Sequence, residues 1–273
     1  MLNFDSYLRR IGLEGPAGFA EIHRAHTTSI PFENLDSYRG FPVSLDPGDL
    51  ERKLVDRRRG GYCFEQNLLL GAAVEALGAT VEPMLARVMW NAPPGAERPL
   101  THQLLRVTMD GRAWHADVGF GNGTLLDPIP FGPGGPYEQA GWSFRVIEDG
   151  DELILQTVAA GAWRDVYRFL PRPVKRVDLE LSNWFTCTHP ESQFRTRLVL
   201  ARTGADGTRT ALSNFSGNLM LMTRTPDGGG DRPVTERELP ALVEEVFGLP
   251  AALLERGPAR SEVAARDAMA RRQ

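Results

Sequence analysis

Residues 59–78 read RGGYCFEQNLLLGAAVEALG, two glycines, a tyrosine and a cysteine running straight into an apolar repeat. Leu68, Leu69, Ala72, Ala73, Ala76 and Leu77 recur at helical spacing, and Gly78 stands where the helix is expected to stop. The pattern predicts a helix beginning just after Cys63, with Gly60-Gly61 as a tight turn ahead of it. A cysteine at a helix entrance meets unpaired backbone N–H groups and the positive end of the helix dipole. Such a place favours a thiolate, and the same N–H groups can stabilise an oxyanion on an attacked thioester carbonyl. The competing reading is a small buried cysteine packed at a helix start. This stretch alone leaves both open.

Toward the N-terminus the texture stays helical. Asp5 or Ser6 can cap a short helix through Tyr7, Leu8 and Ile11 that Gly12 stops, and Pro16 opens a second with Phe19 and Ile22. Asp46-Pro47 is an N-cap and first-turn proline leading into Leu50, Leu54 and Val55. From about residue 84 strands and turns take over. Met84–Trp90 and Thr101–Met109 are strand-like around a loop at Asn91–Pro99, and Asp110-Gly111 is a hairpin turn from which Trp114–Phe120 returns. A second loop, Asp127–Gly141, precedes the strand pair Trp142–Ile147 and Glu152–Val158. The last third mixes strands at Arg195–Arg202, Thr210–Asn214 and Leu219–Thr223 with a helix ending at Phe247 behind the Thr235…Glu238 capping box. The final ~15 residues read as a surface helix or a frayed end. The fold class expected is α+β, with segments 1–83, 84–194 and 195–273.

A nucleophilic cysteine needs a base, and the base an orienting group. Five histidines are available: His23, His26, His102, His115 and His189. With Asp110-Gly111 as a two-residue turn, Met109 pairs with Arg112 and Leu104 with Asp117. His102 and Asp117 then share a face as diagonal neighbours, about 7–8 Å apart at the backbone. A three-residue loop would put them on opposite faces. His115 lies on the same face, so hairpin geometry leaves it in play. His23 and His26 read as surface or capping residues of a helix, and His189 as part of a turn before Pro190. Arg59 reads as an internal ion-pair anchor with Glu33 as candidate partner, and Arg57-Arg58 as a solvated face. Val118–Gly123 is glycine-rich without dinucleotide or Walker spacing and reads as a loop beside the site. Phe32, Phe41, Phe64 and Phe120 are candidates for an apolar pocket.

The bulk numbers are ordinary for a soluble globular protein. The hydrophobic fraction is 42%, the charged fraction 24% and the net charge −4, which supplies no basic field for nucleic acid or an anionic membrane. No secretory leader or bilayer-length apolar run is visible, so a cytoplasmic setting with reduced thiols is expected. The two cysteines, Cys63 and Cys187, offer no metal-ligand spacing, and Cys187 is read as an unreactive core residue.

Residues 59–67, together with Ile30-Pro31-Phe32-Glu33-Asn34-Leu35, Thr101-His102 and Asp117-Val118-Gly119-Phe120-Gly121, resemble the signature of the arylamine N-acetyltransferases. The spacing fits, with 39 residues from Cys63 to His102 and 15 from His102 to Asp117. The resemblance implies a helical first domain, a β-barrel-like second domain and an α/β lid, on a core shared with thiol proteases and transglutaminases. It implies a ping-pong reaction in which Cys63 takes acetyl from acetyl-coenzyme A and passes it to an arylamine, arylhydrazine or arylhydroxylamine. His102 is then the base, chosen over His115, and Asp117 its orienting group. Phe32, Phe64, Thr101 and Phe120 become the substrate-binding candidates. Acetyl-CoA is a co-substrate, and neither a permanently bound cofactor nor a metal is expected. A homodimer is compatible with the sequence, which leaves the assembly open. Related alternatives keep the thiol and change the outcome: an amide synthase releasing or cyclising a polyketide, a thiol hydrolase, or a ligand-binding descendant without turnover.

Overall fold

The structure is a computed structural model that describes residues 2–93, 95–214 and 217–255. Its first third is built around one helix, α5 below, and the helices before it exist to surround that one. Helix α1 (Phe4–Arg10) is capped by Asn3, whose side chain accepts from the Ser6 N–H, so the cap falls ahead of the Asp5 or Ser6 expected. α2 (Phe19–Ser29) is followed by a two-residue strand β1 (Phe32–Glu33) and by α3 (Leu35–Arg39). Asp46 accepts from the N–H groups of Gly48 and Asp49 to start α4 (Pro47–Leu50), which runs on as a π-helical turn through Asp56. α5 (Cys63–Glu75) has ten of its thirteen residues buried, so it is enclosed on all sides. Tyr7, Ile22, Leu54, Leu70 and Val74 pack there with Leu105 and Val107 from the neighbouring sheet. Gly78 follows with φ +88°, the left-handed conformation expected just beyond a helix end.

The middle of the chain is an eight-stranded, barrel-like antiparallel sheet. Its strands are β2 (Thr80–Val88), β3 (Leu100–Met109), β4 (Arg112–Ala116), β5 (Ile129–Pro130), β6 (Gly134–Gln139), β7 (Trp142–Asp149), β8 (Glu152–Ala159) and β9 (Ala162–Phe169). They lie in the order β5-β4-β3-β2-β9-β8-β7-β6 around a core of Met84, Leu104, Phe144, Leu155, Tyr167 and Phe169. Asp110 and Gly111 take φ +51° and +73°, and Met109 pairs with Arg112, so the two-residue hairpin is formed in the register expected. β4 stops at Ala116 instead of continuing to Phe120, because Asp117 and the glycines after it leave the ladder to meet α5. The supposed loop 127–141 holds two strands, β5 and β6. β9 was not expected at all: its turn is Ala160-Gly161, with Ala160 at φ +51°, where asparagine or aspartate would have signalled the hairpin.

The remaining elements are α6 (Arg176–Thr188), α7 (Gln193–Thr196), β10 (Val199–Thr203), β11 (Arg209–Ser213), β12 (Met220–Thr225), β13 (Gly228–Pro233) and α8 (Leu239–Glu245). The second sheet runs β1-β10-β11-β12-β13, so Phe32 and Glu33 are its edge, paired with Ala201 and Leu200. Residues 195 and 196, expected in a strand, end α7 instead. α6 escaped sequence reading for a physical reason. Its apolar Val177, Leu181 and Trp184 face solvent, while polar Ser182, Asn183 and Thr186 are buried. Asn183 donates to the Val43 carbonyl and accepts from the Tyr62 hydroxyl, so hydrogen bonds share the buried face with only Leu179 and Cys187 as apolar residues. The Thr235…Glu238 capping pair is present, with the Thr235 N–H and hydroxyl both donating to the Glu238 carboxylate; α8 begins after it. The C-terminal tail expected to be helical or frayed lies outside the described residues from 256 onward. No helix among the described residues is long and apolar enough to cross a membrane.

Candidate active site

The turn before Cys63 is held from below by a buried charge cluster. Arg59 donates to Glu33 at 2.7 and 3.1 Å and to Asp36 at 2.8 Å, which makes it the internal anchor expected. Lys53 reaches Glu65 at 2.6 Å and Asp36 at 2.8 Å. Glu65, on the first turn of α5, accepts the Tyr62 N–H at 3.1 Å and so caps the helix. Two cations face three carboxylates here, leaving one negative charge in excess. Burial, opposed by Lys53 and reinforced by Glu33, raises the Glu65 carboxyl to about 7. The fold therefore binds a proton that the unfolded chain releases near pH 4.5, and stability falls as pH rises from there through 7. The loss amounts to about 3 kcal/mol. Glu65→Gln keeps an oxygen for Tyr62 N–H and removes the titration. Urea midpoints at pH 5 and pH 8 should differ less in the variant than in the wild type; an unchanged difference would count against Glu65 as its source.

Cys63 is 3% exposed, and its sulfur lies 3.7 Å from the Thr101 carbonyl oxygen. One residue on, His102 sets Nε2 2.7 Å from Asp117 Oδ2, with both side chains buried. Nε2 is thereby engaged with the carboxylate, and Cys63 adds to the electrostatic influence that favours the His102 imidazolium. Burial disfavours the imidazolium, but the Asp117 charge and the hydrogen bonds outweigh it and raise His102 to about 10. Asp117 moves the other way: burial opposes its charge, yet His102, Asn67 and the Gly119 N–H hold it below the usual carboxylate range.

Asn67 ties these pieces together. It sits one helical turn after Cys63 on the same face of α5. Its amide donates to the Gln103 carbonyl at 2.6 Å and to Asp117 Oδ1 at 3.0 Å, and its oxygen accepts the Val118 N–H at 3.0 Å. Gly119 closes the packing: a Cβ there would stand 2.6 Å from Cys63 Cα and 3.0 Å from Asn67 Nδ2. Gly119→Ala should push the 117–120 segment off α5, lowering thiol reactivity by roughly 10- to 100-fold and stability by about 1–3 kcal/mol. Iodoacetamide kinetics and a melting curve read both, and wild-type values for either would refute the close contact.

The other histidines are placed elsewhere. His115 is fully buried, 2.7 Å from the Tyr167 hydroxyl, and burial lowers it to about 4. Asp117 is bonded by His102 and not by His115. His23 and His26, read as surface or capping residues, have no exposed surface at all. They face the core because α2 packs under the Asp117 segment: His23 accepts the Asp117 N–H at 3.2 Å, and His26 Nδ1 lies 2.8 Å from the Tyr7 hydroxyl. His189 stacks on Phe185 at the end of α6. Cys187 is buried and unbridged.

Among the aromatic candidates, Phe120 is half-buried with its ring 5.2 Å from the His102 ring, and Phe32 lies against Gly121 and Phe194. Phe64 is wholly buried beside Tyr62. Phe41 is exposed away from these rings, under the Arg39 guanidinium. Sequence reading assigned no role to Asn67, although its i+4 offset from Cys63 was a usable signal. Tyr167, whose ring lies 4.8 Å from the His102 ring, had none, since only the pairing of β9 with β2, itself paired with β3, brings the two together.

The chain matches the model of the N-acetyltransferase family over residues 17–254. It is 42% identical to an arylamine N-acetyltransferase of Mycolicibacterium smegmatis over 73% of this chain and 76% of that one. To the arylamine N-acetyltransferase of Escherichia coli K12 it is 35% identical over 89% and 87%. The arylamine N-acetyltransferase of Mycobacterium marinum, solved in complex with CoA, superposes with a TM-score of 0.86 at 35% identity, covering 93% of this chain and 96% of that one. With a buried cysteine at the entrance of α5, a His–Asp pair beside it and likeness along most of its length, this chain belongs to the arylamine N-acetyltransferase family.

Proposed function

We propose that the protein transfers acetyl from acetyl-CoA to the nitrogen of arylamines, arylhydrazines or arylhydroxylamines through a thioester on Cys63. The observation that carries this reading is the His102–Asp117 bond of 2.7 Å set beside the buried Cys63 at a helix start. The Cys63 sulfur attacks the donor carbonyl, first backbone N–H groups of α5 receive the oxyanion, and the CoA thiolate leaves with the proton held by His102. The acceptor nitrogen then attacks the acetyl-cysteine, His102 takes its proton, and the Cys63 thiolate departs. Asp117 keeps His102 in one tautomer and stabilises its charge throughout. Phe32, Phe64 and Phe120 form the aromatic acceptor site, with the Thr101 carbonyl beside the sulfur. CoA in the M. marinum relative supports acetyl-CoA as co-substrate; a cytoplasmic enzyme without a permanently bound cofactor is part of the same proposal. The same reading divides the chain at 83 and 194 into a helical domain, a barrel-like domain and an α/β lid on a thiol-protease-like core.

The test is mass spectrometry after exposure to acetyl-CoA. One acetyl adduct on the Cys63 peptide, discharged by an aminobenzoate or an aryl hydrazide, is expected. No adduct, or one that maps elsewhere, sinks the reading.

A further inference from the structure

Helix α2 presents three side chains to the segment that carries Asp117 and Phe120. Thr27 donates to the Leu125 carbonyl at 3.3 Å, and Arg24 forms a two-pronged ion pair with Asp127. The third is His23, with both ring nitrogens occupied. Nδ1 lies 3.0 Å from the Leu126 carbonyl oxygen, and Nε2 accepts the Asp117 N–H at 3.2 Å. A carbonyl can only accept and an amide N–H can only donate, so the two partners dictate one tautomer, with the proton on Nδ1 and the lone pair on Nε2. A second ring proton would aim one N–H at another.

We infer that His23 is a positioning residue for the reaction, a neutral imidazole that clasps both ends of the 117–126 loop and sets the Asp117 carboxylate against His102. The inference rests on the acyl-transfer reading of Cys63, His102 and Asp117. Every acceptor site of Asp117 that the dyad uses is on its side chain: Oδ2 to His102, Oδ1 to Asn67 and the Gly119 N–H. The carboxylate can swing with its backbone, and the Asp117 peptide is no longer on the β4 ladder, which ends at Leu105↔Ala116. His23 supplies the acceptor that the ladder does not. Its second bond, to Leu126, closes the loop at the other end, so Phe120 is carried on a segment fastened at entry and exit. Burial, opposed by the Leu126 and Asp117 interactions, lowers His23 to about 4, which keeps the ring neutral through the working range.

Two variants separate positioning from mere packing. His23→Gln offers a donor and an acceptor about as far apart as the ring nitrogens; His23→Leu fills similar space with neither. The readouts are the Cys63 alkylation rate with iodoacetamide per folded molecule and kcat and KM for acetyl transfer. We expect His23→Leu to slow alkylation and kcat by about 10-fold or more with a smaller change in acetyl-CoA KM, and His23→Gln to stay within about threefold of wild type. Equal alkylation in all three proteins overturns the inference while leaving the acyl-transfer reading intact. An inert wild-type thiol overturns both. Should His23→Leu fail to fold, histidine ¹⁵N spectra of the wild type decide: His23 is expected as the neutral Nδ1–H form from pH 5.5 to 8. An Nε2–H form, or a charged ring at pH 6, overturns it.

Discussion

Cys63→Ala is expected to leave a folded protein that takes up no acetyl, with kcat/KM for arylamine acetylation reduced by at least about 10⁴-fold. The fold should hardly notice. Alanine is the best helix former, the side chain loses a single heavy atom, and the sulfur's one polar contact is a weak one to the Thr101 carbonyl at 3.7 Å. A stability change within about 1–2 kcal/mol follows, read by urea denaturation. The activity loss is of another order because no neighbour can replace the nucleophile: Cys187, the other cysteine, is buried in α6 with its sulfur against Thr188 and the Trp184 carbonyl. The residues of such a site act as a unit, so adding His102→Gln to Cys63→Ala should cost little more than Cys63→Ala alone. Retention of more than a hundredth of wild-type kcat/KM in Cys63→Ala would place the chemistry on another group.

Asp117→Asn is the second large effect, expected at about 10³–10⁴-fold in kcat/KM with the fold intact. Its cause is the hydrogen-bond polarity around the carboxylate. Oδ1 accepts from both Asn67 at 3.0 Å and the Gly119 N–H at 2.9 Å, so an asparagine must keep its oxygen on that side. Its NH2 then points at His102 Nε2, where Oδ2 now stands at 2.7 Å. A donor facing Nε2 forces the imidazole proton onto Nδ1, the nitrogen left for the sulfur, and His102 ceases to be a base toward Cys63. The raised affinity of His102 for its second proton disappears with the Asp117 charge, which is the chief influence favouring the imidazolium. Iodoacetamide alkylation at pH 7 should slow along with acetyl transfer. Alkylation at the wild-type rate would mean that the helix terminus alone activates the thiol and that Asp117 acts only later.

Local chemistry was legible in the residue order wherever one element carries its own signal. Residues 59–78 announced a glycine turn, a helix and a cysteine at its entrance, because side-chain spacing and helix-end residues act within a few positions. Asp110-Gly111 announced the hairpin register, because a two-residue turn with both φ positive suits few other pairs, and that register put His102 and Asp117 on one face. Tertiary structure decided what no window of sequence contains. It gave the Asp117 carboxylate to the His102 ring and the Tyr167 hydroxyl to the His115 ring. It turned His23 and His26 inward, since a histidine on a helix reads alike whether it meets solvent or another backbone. It hid α6, whose buried face is largely polar, and it brought Gly119 against Cys63 and Asn67 onto the Asp117 carboxylate. Hydrophobic periodicity reports which face seeks burial; which donor finds which acceptor is settled only when separate elements pack.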